Sequence, residues 1–158
     1  MEQFQKVSLF ALRVTLGWFM FYAGITKVLD PAWSAGGYLA SAKTFPALYQ
    51  WFASPGILPV VNFINEWGLT LLGVSLILGI GVRLSSLAGV VLMALYYLAI
   101  LEFPNVPPHA YLVDDHIIFI TALLVLAAFR AGRVWGLEKW CSNLPVCRQY
   151  PKLREWLG

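Results

Sequence analysis

Arg13, Lys27, Glu66, Asp114, Asp115 and His116 stand inside, or at the edges of, runs so apolar that they suit only a membrane. A charge at the centre of a spanning helix costs about 2.5 to 3.5 kcal/mol on insertion scales, so such residues turn inward, pair, or do work. Glu66 is the hardest to explain otherwise, because its short side chain does not reach water and a lone carboxylate in a dry interior is driven to protonate. Arg13 or Lys27 is therefore expected to pair with Glu66, with Asp114 or Asp115 as competing partner. Arg13 has the alternative of snorkelling to one set of headgroups and Lys27 to the other. Asp114, Asp115 and His116 have the alternative of opening a helix, where acids are favoured, and nothing in the spacing chooses which aspartate points inward.

The elements that must carry these residues are spans. Of 158 residues, 59% are hydrophobic and only 12% charged, far from the roughly 25% charged of soluble domains. One membrane domain over residues 1–158 is expected, an all-α bundle of four helices, since each crossing takes about 20 residues. The spans read as residues 7–29, ended by Asp30-Pro31, then 59–82, 84–103 and 111–130. The first is too long and too charged for a cleaved leader and is expected to be retained. Connection 30–58 holds Trp33, Tyr38, Phe45, Tyr49, Trp51 and Phe52, which suits an interface-lying segment able to cover a site as a lid.

Lys6, Arg83, Arg130, Arg133, Lys139, Arg148, Lys152 and Arg154 fall on one side of the membrane, and Lys27 and Lys43 flank the other. The positive-inside rule then sets both termini in the cytoplasm, in a multi-pass protein of the plasma membrane. The formal charge of +3 reflects this topology and does not argue for nucleic acid. Asp30, Glu66, Glu102, Asp114 and Asp115 gather at the outer end. Residues 131–158, with Trp135, Trp140 and Trp156 among basic residues, read as an interfacial cytoplasmic tail on anionic lipid.

At about 100° per residue, Arg13, Gly17, Met20, Gly24 and Lys27 form one stripe, Asn62, Glu66, Thr70, Gly73 and Ile77 another, and Gly89, Met93 and Tyr96 a third. Small residues let membrane helices approach, so these stripes are expected to face the bundle. Arg13 and Glu66 then differ in depth by about 10 Å, within reach of two long side chains. No metal is expected, because His109, His116 and the carboxylates lack a His-Glu-x-x-His spacing. Cys141 and Cys147, with five residues between them in the tail, lack the Cys-x-x-Cys spacing of a redox pair.

The runs LRVTLGWFMFYAGITKVLDP, NEWGLTLLGVSLILGIGVRLSSLAGVVLM and AGRVWGLEKW resemble the DoxX family of small bacterial and archaeal membrane proteins. Arg13, Gly17, Gly24, Lys27, Glu66, Gly73, Gly79 and Arg83 carry the resemblance, which extends from about residue 7 to 140 and leaves the lid and the cysteine-bearing tail unmatched. It implies a four-helix membrane bundle. Some relatives, of the DoxD type, are the membrane subunit of thiosulfate:quinone oxidoreductase, and others are partners in membrane redox or thiol-stress complexes. Carried over, this implies a quinone-linked oxidoreductase subunit, with quinone as cofactor and a second redox subunit as partner. Arg13 or Lys27 would then stabilise charge on a quinone oxygen, and Glu66 or Asp115 would exchange its proton. His116, Asp114, Tyr96 and Trp67 would line the head-group site, although packing is the simpler role for the two rings. The alternatives are a non-enzymatic lipid-binding or scaffold protein, in which the same charges hold the bundle together, and a small-solute or proton-coupled carrier. Homo-oligomers are compatible with each.

Overall fold

The computed structural model describes residues 1–106 and 110–138. His109, Cys141, Cys147 and the interfacial tail expected beyond Glu138 lie outside the described residues. Helix α1 (Gln3–Val28) begins before the apolar run because the Gln5 side chain accepts from the Glu2 amide at 2.9 Å and satisfies a donor of the first turn. After α1 come two short helices, α2 (Gly36–Ala40) and α3 (Pro46–Phe52), then α4 (Leu58–Leu78), which opens on a proline, and α5 (Val82–Ile100). The α4–α5 turn is tight because Gly79 (φ 70°) and Gly81 (φ 63°) adopt left-handed backbone open to glycine at no steric cost. Arg83, expected in that turn, lies instead in the first turn of α5.

Helices α1, α4 and α5 are long and apolar enough to cross a membrane. The fourth is shorter than expected. Helix α6 (Asp115–Ala128) has 14 residues, about 21 Å at 1.5 Å per residue. The expected span from 111 is corrected by a two-stranded antiparallel ribbon, β1 (Asn105–Val106) with β2 (Ala110–Tyr111), which takes the chain before the helix can start. Asp114 then caps α6, its Oδ1 accepting from the Ile117 amide at 3.2 Å. A single turn of 3₁₀ helix (Ala131–Arg133) follows α6. The class is all-α, with this one ribbon among the described residues.

Helix α1 packs along α4 and α5 along α6. The first pair runs antiparallel with backbones touching: Gly17 faces Leu76 and Ile77, Gly24 faces Leu69 and Thr70, and Gly73 faces Phe21. A Cβ on Gly73 would enter the Phe21 backbone, which has no flexible end to move aside. Gly73→Ala should therefore destabilise the bundle by about 1 to 3 kcal/mol or more, read as a lower unfolding midpoint in detergent. An unchanged midpoint would mean that the helices part without cost. Leu16, Met20, Leu69, Leu76, Leu123 and Leu126 fill the core between the pairs.

The segment between α1 and α4 is tied down as a cap over one end of the bundle. Ala35, Leu39 and Tyr49 bury against Ala99 of α5. Its polar groups reach for carbonyls near the end of α5: Tyr49 Oη donates to Leu95 O at 2.6 Å, Tyr38 Oη to Tyr96 O at 2.8 Å, Lys43 N to Ala99 O at 2.9 Å and Thr44 Oγ1 to Leu101 O at 2.7 Å. Lys43 also pairs with Glu102 at 3.0 Å. Ala99 O and Leu101 O, which lie past the last intrahelical donors, thus gain partners, Leu95 O and Tyr96 O accept a second bond, and the cap gains a fixed register.

Candidate functional site

Under this cap the ends of α1, α4, α5 and α6 close around a cavity of about 330 Å³, walled by Lys27, Trp33, Tyr38, Asn65, Tyr96 and His116 among others. Each wall is there for a local reason. Gly24, pressed to α4, carries Lys27 inward one turn later, and its ammonium donates to Asn65 Oδ1 at 3.1 Å. The same ammonium lies 4.8 Å from the centre of the Trp33 ring and 5.7 Å from that of Tyr96, so two aromatic faces hold it. Tyr96 Oη donates to Asn65 Oδ1, which thus takes donors from two other helices. His116 stands edge-on to the Tyr96 ring, 5.9 Å between centroids.

Asp114 serves two purposes. While Oδ1 caps α6, Oδ2 accepts from His116 Nδ1 at 2.6 Å. The carboxylate fixes the ring tautomer and leaves Nε2 as the nitrogen able to take or give a proton. Asp114 is therefore the inward aspartate. Asp115 is exposed and lies 3.3 Å from the same Nδ1, at the rim. The ligand atoms of Asp114, Asp115 and His116 fall within 4.8 Å of one another, yet both Asp114 oxygens are already engaged, as cap and as hydrogen-bond partner of the imidazole. Tyr38 is pushed up to about 12, by burial first and then by Tyr49, Asp114 and Asp115, so near neutral pH its hydroxyl serves only as a neutral hydrogen-bonding group.

A second recess of about 160 Å³ adjoins the cavity, sharing Ala35, Tyr38, Asn65 and Tyr96 and running on past Leu39, Phe52, Val61, Ile64, Leu92 and Leu95. Its wall is apolar apart from the shared polar groups and Tyr49, whose hydroxyl is engaged by Leu95 O. A space with polar walls and a largely apolar one therefore adjoin.

The structure gathers Lys27, Tyr96, Asp114, Asp115 and His116 at this end and takes Arg13 away from it. The expected Arg13–Glu66 pair does not form. Arg13 lies ten residues of α4 from Glu66, opposite Leu76, about 15 Å along the helix axis. There its Nη1 donates to Leu76 O at 2.9 Å and its Nη2 to Val134 O at 3.2 Å, with Ile77 O and Trp135 O each at 3.5 Å. Arg13 is fully buried and caps the carbonyl end of α4, where a cation is favoured. Glu66 is half-buried beside the cavity wall, close enough to act electrostatically on Lys27 but not part of the lining. Trp67 is exposed against Phe63, outside the cavity.

Asn65 was missed because the expected α4 stripe, of which Thr70 and Gly73 are buried, marks one edge of a wider buried face, and the line Asn65, Leu69, Leu72 and Leu76 runs alongside it one residue out of phase. An asparagine in line with three leucines is a visible signal once that phase is taken. Asn62 is used too, but by the cap: its Oδ1 accepts from the Ala35 amide at 3.0 Å.

No curated protein and no solved structure matches the chain. A sequence model described as DoxX matches residues 8–101, from α1 through α5. The match takes in the cap, which the resemblance in sequence had left out, and stops before α6. Covering more than half of the chain, it makes this protein a member of the DoxX family of membrane proteins.

Proposed function

We propose that the capped cavity is a quinone head-group site and that the protein is the membrane component of a quinone-linked redox complex. The observation that carries this is the convergence of Lys27, Asn65, Tyr96 and His116 on a cavity of about 330 Å³ beside an apolar recess. The donor set fits the group: Lys27 and His116 would hold the ring oxygens, and Trp33, Tyr38 and Tyr96 would wall the ring. When bound, a quinone supplies an acceptor for two electrons and two protons. The Lys27 ammonium offsets negative charge at a ring oxygen. His116 Nε2 delivers a proton, and Asp114 steadies the imidazolium that precedes delivery. Asp115, exposed at the rim 3.3 Å from Nδ1, adds a second negative charge that steadies the same imidazolium. Trp33 and Tyr38 keep bulk water from the ring. Electrons come from a sulfur donor of the thiosulfate class or from a second redox subunit.

In this reading the termini are cytoplasmic and the capped end faces the opposite side, since Lys6, Arg83, Arg130 and Arg133 share the far end of the bundle. A carrier is less well supported. Leu16, Met20, Leu69 and Leu72 form a buried apolar layer between the level of Lys27 and that of Arg13.

The test is quinone-dependent oxidation of thiosulfate by membranes containing the protein and any co-purifying partner. His116→Gln should reduce it by about 10²-fold, the scale of a lost acid–base group. Protein that binds no quinone analogue and supports no turnover would contradict the proposal. Under the scaffold alternative, His116→Gln would lower the unfolding midpoint and nothing else.

A further inference from the structure

At the opposite end of the bundle, a groove of about 370 Å³ lies between α5 and α6, lined by Arg83, Leu87, Leu124, Ala127, Ala128 and Arg130. Two guanidinium-bearing residues from different elements thus flank one space, and among the described residues that line it there is no carboxylate. Arg83 stands in the first turn of α5, where there is neither an acidic residue nor a side-chain cap, so the positive end of the helix dipole adds to the field. Arg130 follows α6 in left-handed backbone (φ 48°), a conformation open to glycine at no steric cost but held here by a residue with a long cationic side chain. Leu87 and Leu124 are exposed and continue the groove along the helices.

We propose that this groove binds the phosphate headgroup of an anionic phospholipid, with an acyl chain laid along Leu87 and Leu124. Guanidinium forks match phosphate oxygens in pairs and are less strongly hydrated than an ammonium, which suits a site at the edge of hydrocarbon. The apolar continuation selects a lipid over a free anion, because a soluble phosphate has nothing to place against the leucines. The proposal is independent of the quinone site, which lies at the other end of the bundle.

The experiment titrates the detergent-extracted full chain with phosphatidylglycerol and with phosphatidylcholine of identical acyl chains, counting bound lipids by native mass spectrometry. With about 1 kcal/mol per basic residue near a charged headgroup, the anionic lipid should bind about 30-fold more tightly. R83Q/R130Q should reduce that preference to near unity. L124W, which keeps both arginines but fills the apolar stretch, should displace the tightest-bound lipid. Inorganic phosphate at the same concentration should neither bind detectably nor compete. Equal affinity for the two lipids in the wild type, a preference that survives both variants, or phosphate binding as tightly as the lipid would each overturn the proposal. The wild-type comparison holds even if one variant fails to fold.

Discussion

Lys27→Met is expected to lose about 10²- to 10³-fold of quinone-dependent turnover while the unfolding midpoint stays within the equivalent of about 1 kcal/mol. The two halves of that result have separate causes. The ammonium is the fixed cation on the cavity wall, held by Asn65 Oδ1 and by the faces of Trp33 and Tyr96. A preorganised charge aimed at a reacting oxygen is worth about 2.7 to 4 kcal/mol when removed. Methionine keeps the stem volume and removes a half-buried charge whose desolvation already offsets much of its attraction. Asn65 Oδ1 keeps its bond from Tyr96. Lys27→Arg should recover only part of the rate, because a planar fork does not replace a compact ammonium between two rings. Glu66→Gln should cost less than tenfold, since the carboxylate stands beside the cavity rather than in its wall. A Lys27→Met protein that turns over normally but melts early would assign the lysine to structure.

Arg13→Met should have the opposite profile, with a loss of about 3 to 5 kcal/mol in stability and a sharp drop in recoverable protein. The guanidinium satisfies Leu76 O at the end of α4 and Val134 O after α6, both in a dry interior. Each buried carbonyl left without a donor costs about 1 to 3 kcal/mol. Around this clasp Gly79 sits so close to the Arg13 fork that a Cβ there would strike it. Glu138 is buried nearby, its Oε1 accepting from Arg133 Nε at 3.4 Å. Burial pushes the Glu138 carboxyl up, against the opposing pull of Arg133, Arg130 and Arg13. Arg13→Lys should not rescue, because one ammonium cannot span the carbonyls of two elements. Thermal unfolding in detergent checks both variants, and a wild-type midpoint in Arg13→Met would remove the clasp from the account.

Arg13 and Lys27 look alike in the sequence, each a cation on the small-residue stripe of α1. Their faces were legible: Arg13, Gly17, Met20 and Gly24 are all buried. What each cation meets was not, because that depends on how far α4 slides along α1. The glycine contacts decide that slide, setting Gly24 against Thr70 and Gly17 against Leu76, and they put a whole run of α4 between Arg13 and Glu66. Depth arithmetic had left about 10 Å between the two and counted on long side chains to close it. Backbone carbonyls at a helix end, which no side-chain pattern advertises, offered Arg13 a nearer partner.

The cap was visible as an aromatic connection, whereas its anchoring to α5 carbonyls rests on hydroxyl and amide geometry. The short fourth helix followed from a ribbon only two residues deep in each strand, too short for alternation to reveal. Asp114 and Asp115 differ by one position and hence by about 100° on a helix, but Asp114 is the cap and lies outside the helical count. That boundary chose the inward carboxylate.

The central claim, that a quinone ring occupies the space beneath the cap, is met most directly by photo-crosslinking. An azido-quinone illuminated with the membrane-embedded protein should label the segments carrying Trp33, Tyr38 and Tyr96, saturably and in competition with unmodified quinone, and Lys27→Met should weaken the labelling. Labelling spread over the lipid-facing rings of Trp18, Phe19 and Tyr22, without saturation or competition, would contradict the account.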